Sequence, residues 1–360
     1  MDDIKIKACS PDNGVALTQL VSVFRDSYGD QFPFPAVYDV EYWSRNIGSR
    51  FISVVAARKN HIQAHIAARP EPENENVVQL CFPACSEALM GQAIDITSRA
   101  WSLLESIAQR QKWSSVYYAS FSDIELMQRI GVESFGTSTS MLLPEYIPLQ
   151  NPRCAKAGRK SSREGGRSHI VVGQRILDQS SASDAPLYIP ERHKEISSFL
   201  LKTLGVKNLS TRMHEAAKKE ASPVPADSEA LQSRIFNWGA ANYVVRPTML
   251  SSFQQSLFEI RRAANSRSVI FVDARDSRCP EYAEFLEQNG FMYSGIAPAL
   301  FSTESIVYSQ TSDVVLDSDS FVCPVAKELA RYMNEHVAPG QVLAHPANLK
   351  QGSKYATARS

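Results

Sequence analysis

Val116-Tyr117-Tyr118-Ala119-Ser120-Phe121-Ser122-Asp123 and Val269-Ile270-Phe271-Val272-Asp273-Ala274-Arg275-Asp276 decide how this chain is read. Each is an apolar, β-prone run closed by a polar turn, and each leads into a stretch with helical spacing. The first helical stretch runs to Gly131 and the second to Gly290-Phe291. Both then resume as apolar strands, Ser138 to Leu143 and Tyr293 to Leu300. Strand, helix, glycine stop and strand, written again about 150 residues on, predict two similar units in tandem.

Working outward from the first copy, Ile4 to Ala8 alternates as a short strand, and Ser10-Pro11-Asp12-Asn13 is a turn with helix-start chemistry. Val15 to Tyr28 places Leu17, Leu20, Val21, Val23 and Phe24 at helical spacing, Phe32-Pro33-Phe34-Pro35 breaks it, and Val37 to Ile47 reads as a second helix. Phe51 to Ala57 and His61 to Ala68 are strands joined by the tight turn Arg58-Lys59-Asn60, a hairpin. Pro70 to Asn76 reads as loop, Val77 to Phe82 as strand, and Gln92 to Gln111 as the longest helix of this half. Around the second copy, His169 to Leu177 is a strand and Glu195 to Leu204 a helix, with strands near Arg234 to Trp238 and Tyr243 to Val245. Phe253 to Ala264 and Val325 to His336 complete the helical set, and the residues after Ala338 read as a disordered tail.

Composition narrows the class. At 360 residues, length suggests two cores, and 44% hydrophobic with 21% charged residues fits a globular chain. Lysine plus arginine and aspartate plus glutamate number 38 each, so no global field favours nucleic acid or a membrane surface. No apolar run approaches the ~20 residues of a membrane span, and Met1-Asp2-Asp3-Ile4-Lys5 lacks a leader's apolar core. Six scattered cysteines form neither a disulfide framework nor paired CxxC knuckles, and a cytoplasmic location with reduced thiols is expected. Arg153, Lys156, Arg159, Lys160, Arg163 and Arg167 crowd a glycine- and serine-rich stretch. That stretch reads as a flexible linker, since a nucleic-acid strip would need aromatic residues for base stacking.

Strand, two helices, a three-strand meander, a long helix, strand, helix and strand resemble the GNAT superfamily of N-acetyltransferases. The local stretches Phe24-Arg25-Asp26-Ser27-Tyr28-Gly29, Gly166-Arg167-Ser168 and Gly290-Phe291-Met292-Tyr293-Ser294-Gly295 are similar to tandem members of it. The resemblance covers roughly residues 4 to 340. It implies an α/β (α+β, mixed-sheet) chain of two tandem GNAT-like domains, each a mostly antiparallel sheet flanked by helices. The expected boundaries are residues 1–149, a basic linker at 150–168, a degenerate second domain at 169–338 and a tail at 339–360.

The resemblance also implies acetyl-CoA or another acyl-CoA as co-substrate and an amine of a small molecule or protein as acceptor. In that superfamily the pyrophosphate sits on backbone N–H groups where the long helix begins, an anion site that glycines keep open. The matching stretch is Met90-Gly91-Gln92-Ala93-Ile94-Asp95-Ile96-Thr97, so Gly91, Gln92, Ala93 and Thr97 are the cofactor-binding candidates. Ala93 and Asp95 stand where glycines would, and a carboxylate facing a pyrophosphate is unfavourable. The tyrosine that would protonate the leaving thiolate is replaced by Met127 before Gly131 and by Leu286 before Gly290.

With the cleft expected between the fourth and fifth strands, Tyr118 and Ser120 are the catalytic candidates, and Tyr28, Gln79 and Tyr117 the substrate-binding ones. Strand alternation requires one of Tyr117 and Tyr118 to face a core. His61 and His65, four apart on a strand, would share a solvated face. No phosphate-binding P-loop, HExxH or dinucleotide fingerprint is present. Two functions remain open: a GNAT-type acyltransferase, and a non-catalytic tandem protein binding a metabolite or a protein partner in the former acyl-CoA cleft. A membrane partner is not expected, and a homodimer is left open.

Overall fold

Local chemistry sets the elements before packing does. Helix α1 (Gly14–Tyr28) starts where Asn13 Oδ1 accepts the Ala16 N–H at 3.0 Å, and it stops at Gly29, whose φ of 61° suits glycine. Its apolar stripe of Leu17, Leu20, Val21 and Phe24 is buried against the sheet. Asp39 caps α2 (Val40–Asn46) by accepting the Glu41 N–H at 2.9 Å. Lys59 and Asn60, with φ of 48° and 65°, make the primed turn that joins β2 (Ile52–Arg58) to β3 (His61–Glu71).

The computed structural model describes residues 4–30, 32, 34–71, 74–122, 124–148, 167–178, 184–213, 231–235, 241–245, 268–298, 300, 304–310 and 315–336. Most of the basic linker, the C-terminal tail and the helix expected at 253–264 fall outside them. The order over the first half is β1 (Ile4–Ala8), α1, α2, β2, β3, β4 (Asn74–Cys85), α3 (Ala93–Gln111), β5 (Ser115–Phe121), α4 (Glu125–Arg129) and β6 (Ser138–Pro148). This is the element order the resemblance implied. Further on come β7 (Arg167–Ile176), α5 (Glu191–Thr203), α6 (Leu209–Arg212), β8 (Leu231–Ile235), β9 (Ala241–Val245) and β10 (Val269–Asp273). The chain then forms α7 (Cys279–Gln288), β11 (Phe291–Ala297), β12 (Ser305–Gln310) and α8 (Pro324–Glu335).

The twelve strands among the described residues form one mixed sheet in the order β1-β2-β3-β4-β5-β7-β6-β11-β12-β10-β9-β8. Among the described residues two strand pairs are parallel, β4 with β5 and β9 with β10, and the other ladders are antiparallel. β6 meets β11 where Gly295 faces Met141, and Gly295 there has φ of +130°. A Cβ on Gly295 would lie 2.2 Å from Ser140 O and 2.6 Å from Met141 Cα, so only glycine admits this approach.

Four features differ from expectation. The strand expected to open the second half is β7, and it is inserted between β5 and β6, its Val172 facing both Ala119 and Met141. Gly131 does not stop a helix: α4 continues through a π turn, Ile130–Ser134, and the left-handed residue is Gly136, with φ of 64°. The segment read as loop from Pro70 is mostly strand, with Pro70 opposite Val78 and Glu71 opposite Asn74. His61 and His65 do not share a face, because an extra β3 residue between Ala64 and Ile62 breaks the register and buries His65 alone.

The core runs across the seam. One apolar cluster on a single sheet face joins Val77, Tyr117, Leu143 and Val172 to Val269, Phe271 and Val307. On the other face, Leu142 of β6 and Val171 of β7 pack with Leu200 of α5, Leu286 of α7 and Leu329 of α8. The Gln128 side chain adds a polar link, donating to Ser320 O at 3.0 Å and accepting the Val322 N–H at 2.9 Å.

Candidate functional site

Parallel strands joined by a helix leave a crevice where they separate at their C-terminal ends. β4 and β5 pair only from Val77 with Ser115 to Leu80 with Tyr118. Beyond that point β5 pairs with β7 and β4 with β3, so the two strands part. A cavity of about 420 Å³ lies beside the diverging end of β4, lined on one side by residues that follow β5 and by none of β5 itself. Its walls come from the last turn of α1 (Asp26, Ser27, Tyr28), the end of β4 (Pro83, Ala84, Cys85), the start of α3 (Ala93, Thr97) and α4 (Leu126, Met127). His65, Glu87, Met90, Ile124 and Ile130 complete them.

The β4 wall is shaped by a bulge. His65 faces Ala84 and Ala67 faces Cys81, so β4 carries an extra residue between them and Phe82 takes φ of 55°. His65 secures this kink: Nδ1 lies 2.9 Å from Phe82 O and Nε2 lies 2.8 Å from Ser53 Oγ. Burial pushes its pKa down to about 4, against the Phe82 carbonyl, which favours the protonated form. His65 is therefore a neutral imidazole that donates to Phe82 and accepts from Ser53, a brace and not a base.

The outward edge of β4 is already occupied. Ser27 Oγ accepts the Cys85 N–H at 2.8 Å and lies 2.8 Å from Cys85 O, and the Tyr28 hydroxyl donates to Pro83 O. Pro83 itself has no N–H to offer. Cys85 lines the cavity as a protonated thiol, its pKa pushed up to about 11 by burial. Among the described residues no group of three or more His, Cys, Asp or Glu side chains is placed to hold a metal ion.

The diphosphate of CoA does not find a cradle. A 3-10 turn, Glu87–Gln92, runs directly into α3, so the Leu89 N–H is bonded to Ser86 O and the Ala93 N–H to Met90 O. Among the described residues the lining holds two carboxylates, Asp26 and Glu87, and no lysine or arginine. Asp95 stands outside it, half-exposed and 4.0 Å from Arg99.

Of the residues chosen from sequence, Tyr28, Ala93 and Thr97 meet at the cavity. Gly91 and Gln92 belong to the preceding 3-10 turn and do not line it. Tyr118 is buried under α3 and α4, its hydroxyl without a partner, and Ser120 Oγ lies 3.4 Å from Val171 O. Gln79 and Tyr117 lie on the opposite sheet face, bonded to Arg69 and Glu71 respectively. Ser27, His65 and Cys85 were not chosen. His65 could have been found only by anticipating the bulge, since alternation placed it in solvent.

No protein-family model and no curated protein matches the chain. Solved structures similar to it include the aminoglycoside 6'-N-acetyltransferase from Enterococcus faecium, at 13% identity over 48% of this chain and 97% of that one, TM-score 0.35. An N-acetyltransferase from Staphylococcus aureus is 10% identical over 48% of this chain and 97% of its own, TM-score 0.35. The acetyltransferase yncA from Salmonella typhimurium, described with its cofactor acetyl-CoA, is 13% identical over 49% of this chain and 96% of its own, TM-score 0.37.

Proposed function

We propose that this chain is a GNAT-type acyltransferase that takes an acyl group from acyl-CoA to an amine, with its donor site in the β4/β5 cavity. The parting of β4 from β5 after Leu80 and Tyr118, next to a half-open cavity at the start of α3, carries the reading. When bound, an acyl-CoA supplies the activated thioester. The chain's own residues shape the space: His65 holds the bulge, Tyr28 and Ser27 fix the β4 edge, and Ala93 and Thr97 form the floor. Recognition would rest on the acyl-pantetheine arm, since the α3 start offers the phosphates little.

The strand order supports an internal duplication. Read outward from the β6/β11 seam, one side runs β6-β7-β5-β4 and the other β11-β12-β10-β9, each with a parallel pair at the same place. The first unit of the proposed pair would end with β7, near Ile176, because β7 completes the first sheet. Gly290, with φ of 78°, and the seam glycine Gly295 lie in the second.

A second reading, ligand binding without turnover, is favoured by Met127. It lines the cavity at the position where the resemblance calls for a proton donor, and a thioether cannot donate. Thiol release from acetyl-CoA, measured against a panel of small amines, separates the two. Met127→Tyr is expected to raise release at least about tenfold if the cavity is a donor site lacking only its acid. Binding with no release by either protein supports the second reading, and an unchanged rate removes Met127 from the reacting end.

A further inference from the structure

Helix α4 has only five residues, Glu125–Arg129, before it passes into the π turn Ile130–Ser134. A helix so short does not hold itself together in water, so its place is set by what it is fastened to. Ile124, Leu126, Met127 and Ile130 of this segment form one wall of the β4/β5 cavity. The π turn is fastened within the first half, where the Ser134 hydroxyl donates to Ile94 O at 3.0 Å. The helix is fastened by Gln128, which stands between the wall residues Met127 and Ile130 and is 3% exposed.

The Gln128 amide is matched on both of its sides. Nε2 has two hydrogens and donates to Ser122 O at 2.8 Å and to Ser320 O at 3.0 Å. Oε1 accepts the Val322 N–H at 2.9 Å. Ser122 follows β5, whereas Ser320 and Val322 belong to the second half, just before α8. Phe321, between those two, is 1% exposed in the core that also holds Leu200, Leu286 and Leu329. One side chain on the cavity wall is thus bonded to a segment anchored in the second core. Moving α4 outward breaks two of its three bonds and leaves Ser320 O and the Val322 N–H without this partner.

We propose that Gln128 is a positioning residue through which the second half holds the α4 wall, so that the cavity's affinity for its ligand depends on the second half. The inference rests on the β4/β5 cavity being the ligand site. It gives the second half a part in that site even though, among the described residues, none beyond Ile130 lines the cavity. Coupling of this kind is reciprocal: a ligand that orders the wall also steadies the segment before α8.

Gln128→Met tests the link, keeping an unbranched side chain of similar length without the amide. Asn334→Leu is the control for a lost amide elsewhere: at the far end of α8, Asn334 donates to Leu316 O at 2.8 Å and accepts its N–H at 2.9 Å. Hydrogen exchange of the unliganded full chains is expected to be at least about tenfold faster over residues 124–134 in Gln128→Met than in Asn334→Leu. S-acetylpantetheine should bind Gln128→Met about tenfold more weakly than it binds wild type or Asn334→Leu. In the wild type, the same ligand should slow exchange over residues 318–323. Equal exchange of 124–134 in the two variants, or undiminished affinity in Gln128→Met, overturns the proposal. If Gln128→Met does not fold, the wild type decides, and exchange over 318–323 that ignores bound ligand overturns it. A wild type that binds no S-acetylpantetheine removes the donor site instead, and exchange in the unliganded variants still decides whether Gln128 holds the wall.

Discussion

Gly295→Ala is expected to destabilise the protein by about 3 kcal/mol or more, the combined cost of a disfavoured φ and an overpacked backbone contact. At φ of +130° an alanine is strained even in open space. Here its Cβ would also meet Ser140 O at 2.2 Å and Met141 Cα at 2.6 Å, and neither is a side chain that can swing aside. The β6/β11 ladder must open to admit it, and this ladder joins the two sheet halves through Gly295 and Met141. Urea unfolding followed by circular dichroism reads the loss. Gly91→Ala is the control: nothing lies within 4 Å of its added Cβ, and it should unfold close to wild type. Equal stability of Gly295→Ala and wild type would contradict the seam as described.

The second large effect is on pH. His65 titrates near 4 in the fold, pushed down by burial, and near 6.5 when unfolded. Between those values the unfolded chain holds a proton that the folded chain does not, so acid favours unfolding. The stability that neutral His65 contributes is complete above pH 6.5 and is lost as pH falls towards 4, about 3 kcal/mol in all. His193, also held low by burial against the opposing pull of Glu287, acts in the same direction. Comparison with His65→Leu isolates the first term. That variant should lose the part of the acid slope due to His65, and at pH 7 it should already be weaker by about 1–3 kcal/mol, because Phe82 O and Ser53 Oγ lose their partner. An identical slope in both proteins would mean that His65 is not buried neutral.

Much of the architecture was legible because single residues declare it. Asn13 announces a helix start, Lys59-Asn60 a primed turn, and Val116 to Phe121 a buried strand, whereas the second helix, expected from Val37, starts only after its cap Asp39. Elements whose placement depends on distant partners were less readable. β7 shows the same periodicity wherever it lies in the sheet, and only its pairing places it between β5 and β6. At the candidate site, Tyr28, Ala93 and Thr97 followed from the resemblance, which assigns the α1 end and the α3 start to the site. Tyr118 did not, because a tyrosine on a cleft strand reads the same in sequence whether its hydroxyl meets a ligand or the underside of a helix. Bulges at β3 and β4 hid His65, since one inserted residue inverts every later inside-outside assignment.

Isothermal titration of the full chain with acetyl-CoA and with S-acetylpantetheine tests the donor site most directly. The cavity at the β4/β5 divergence predicts one equivalent of each ligand bound, with affinities within about tenfold of one another, because the start of α3 adds little for the phosphates. No heat from either ligand at millimolar concentration would contradict the donor site.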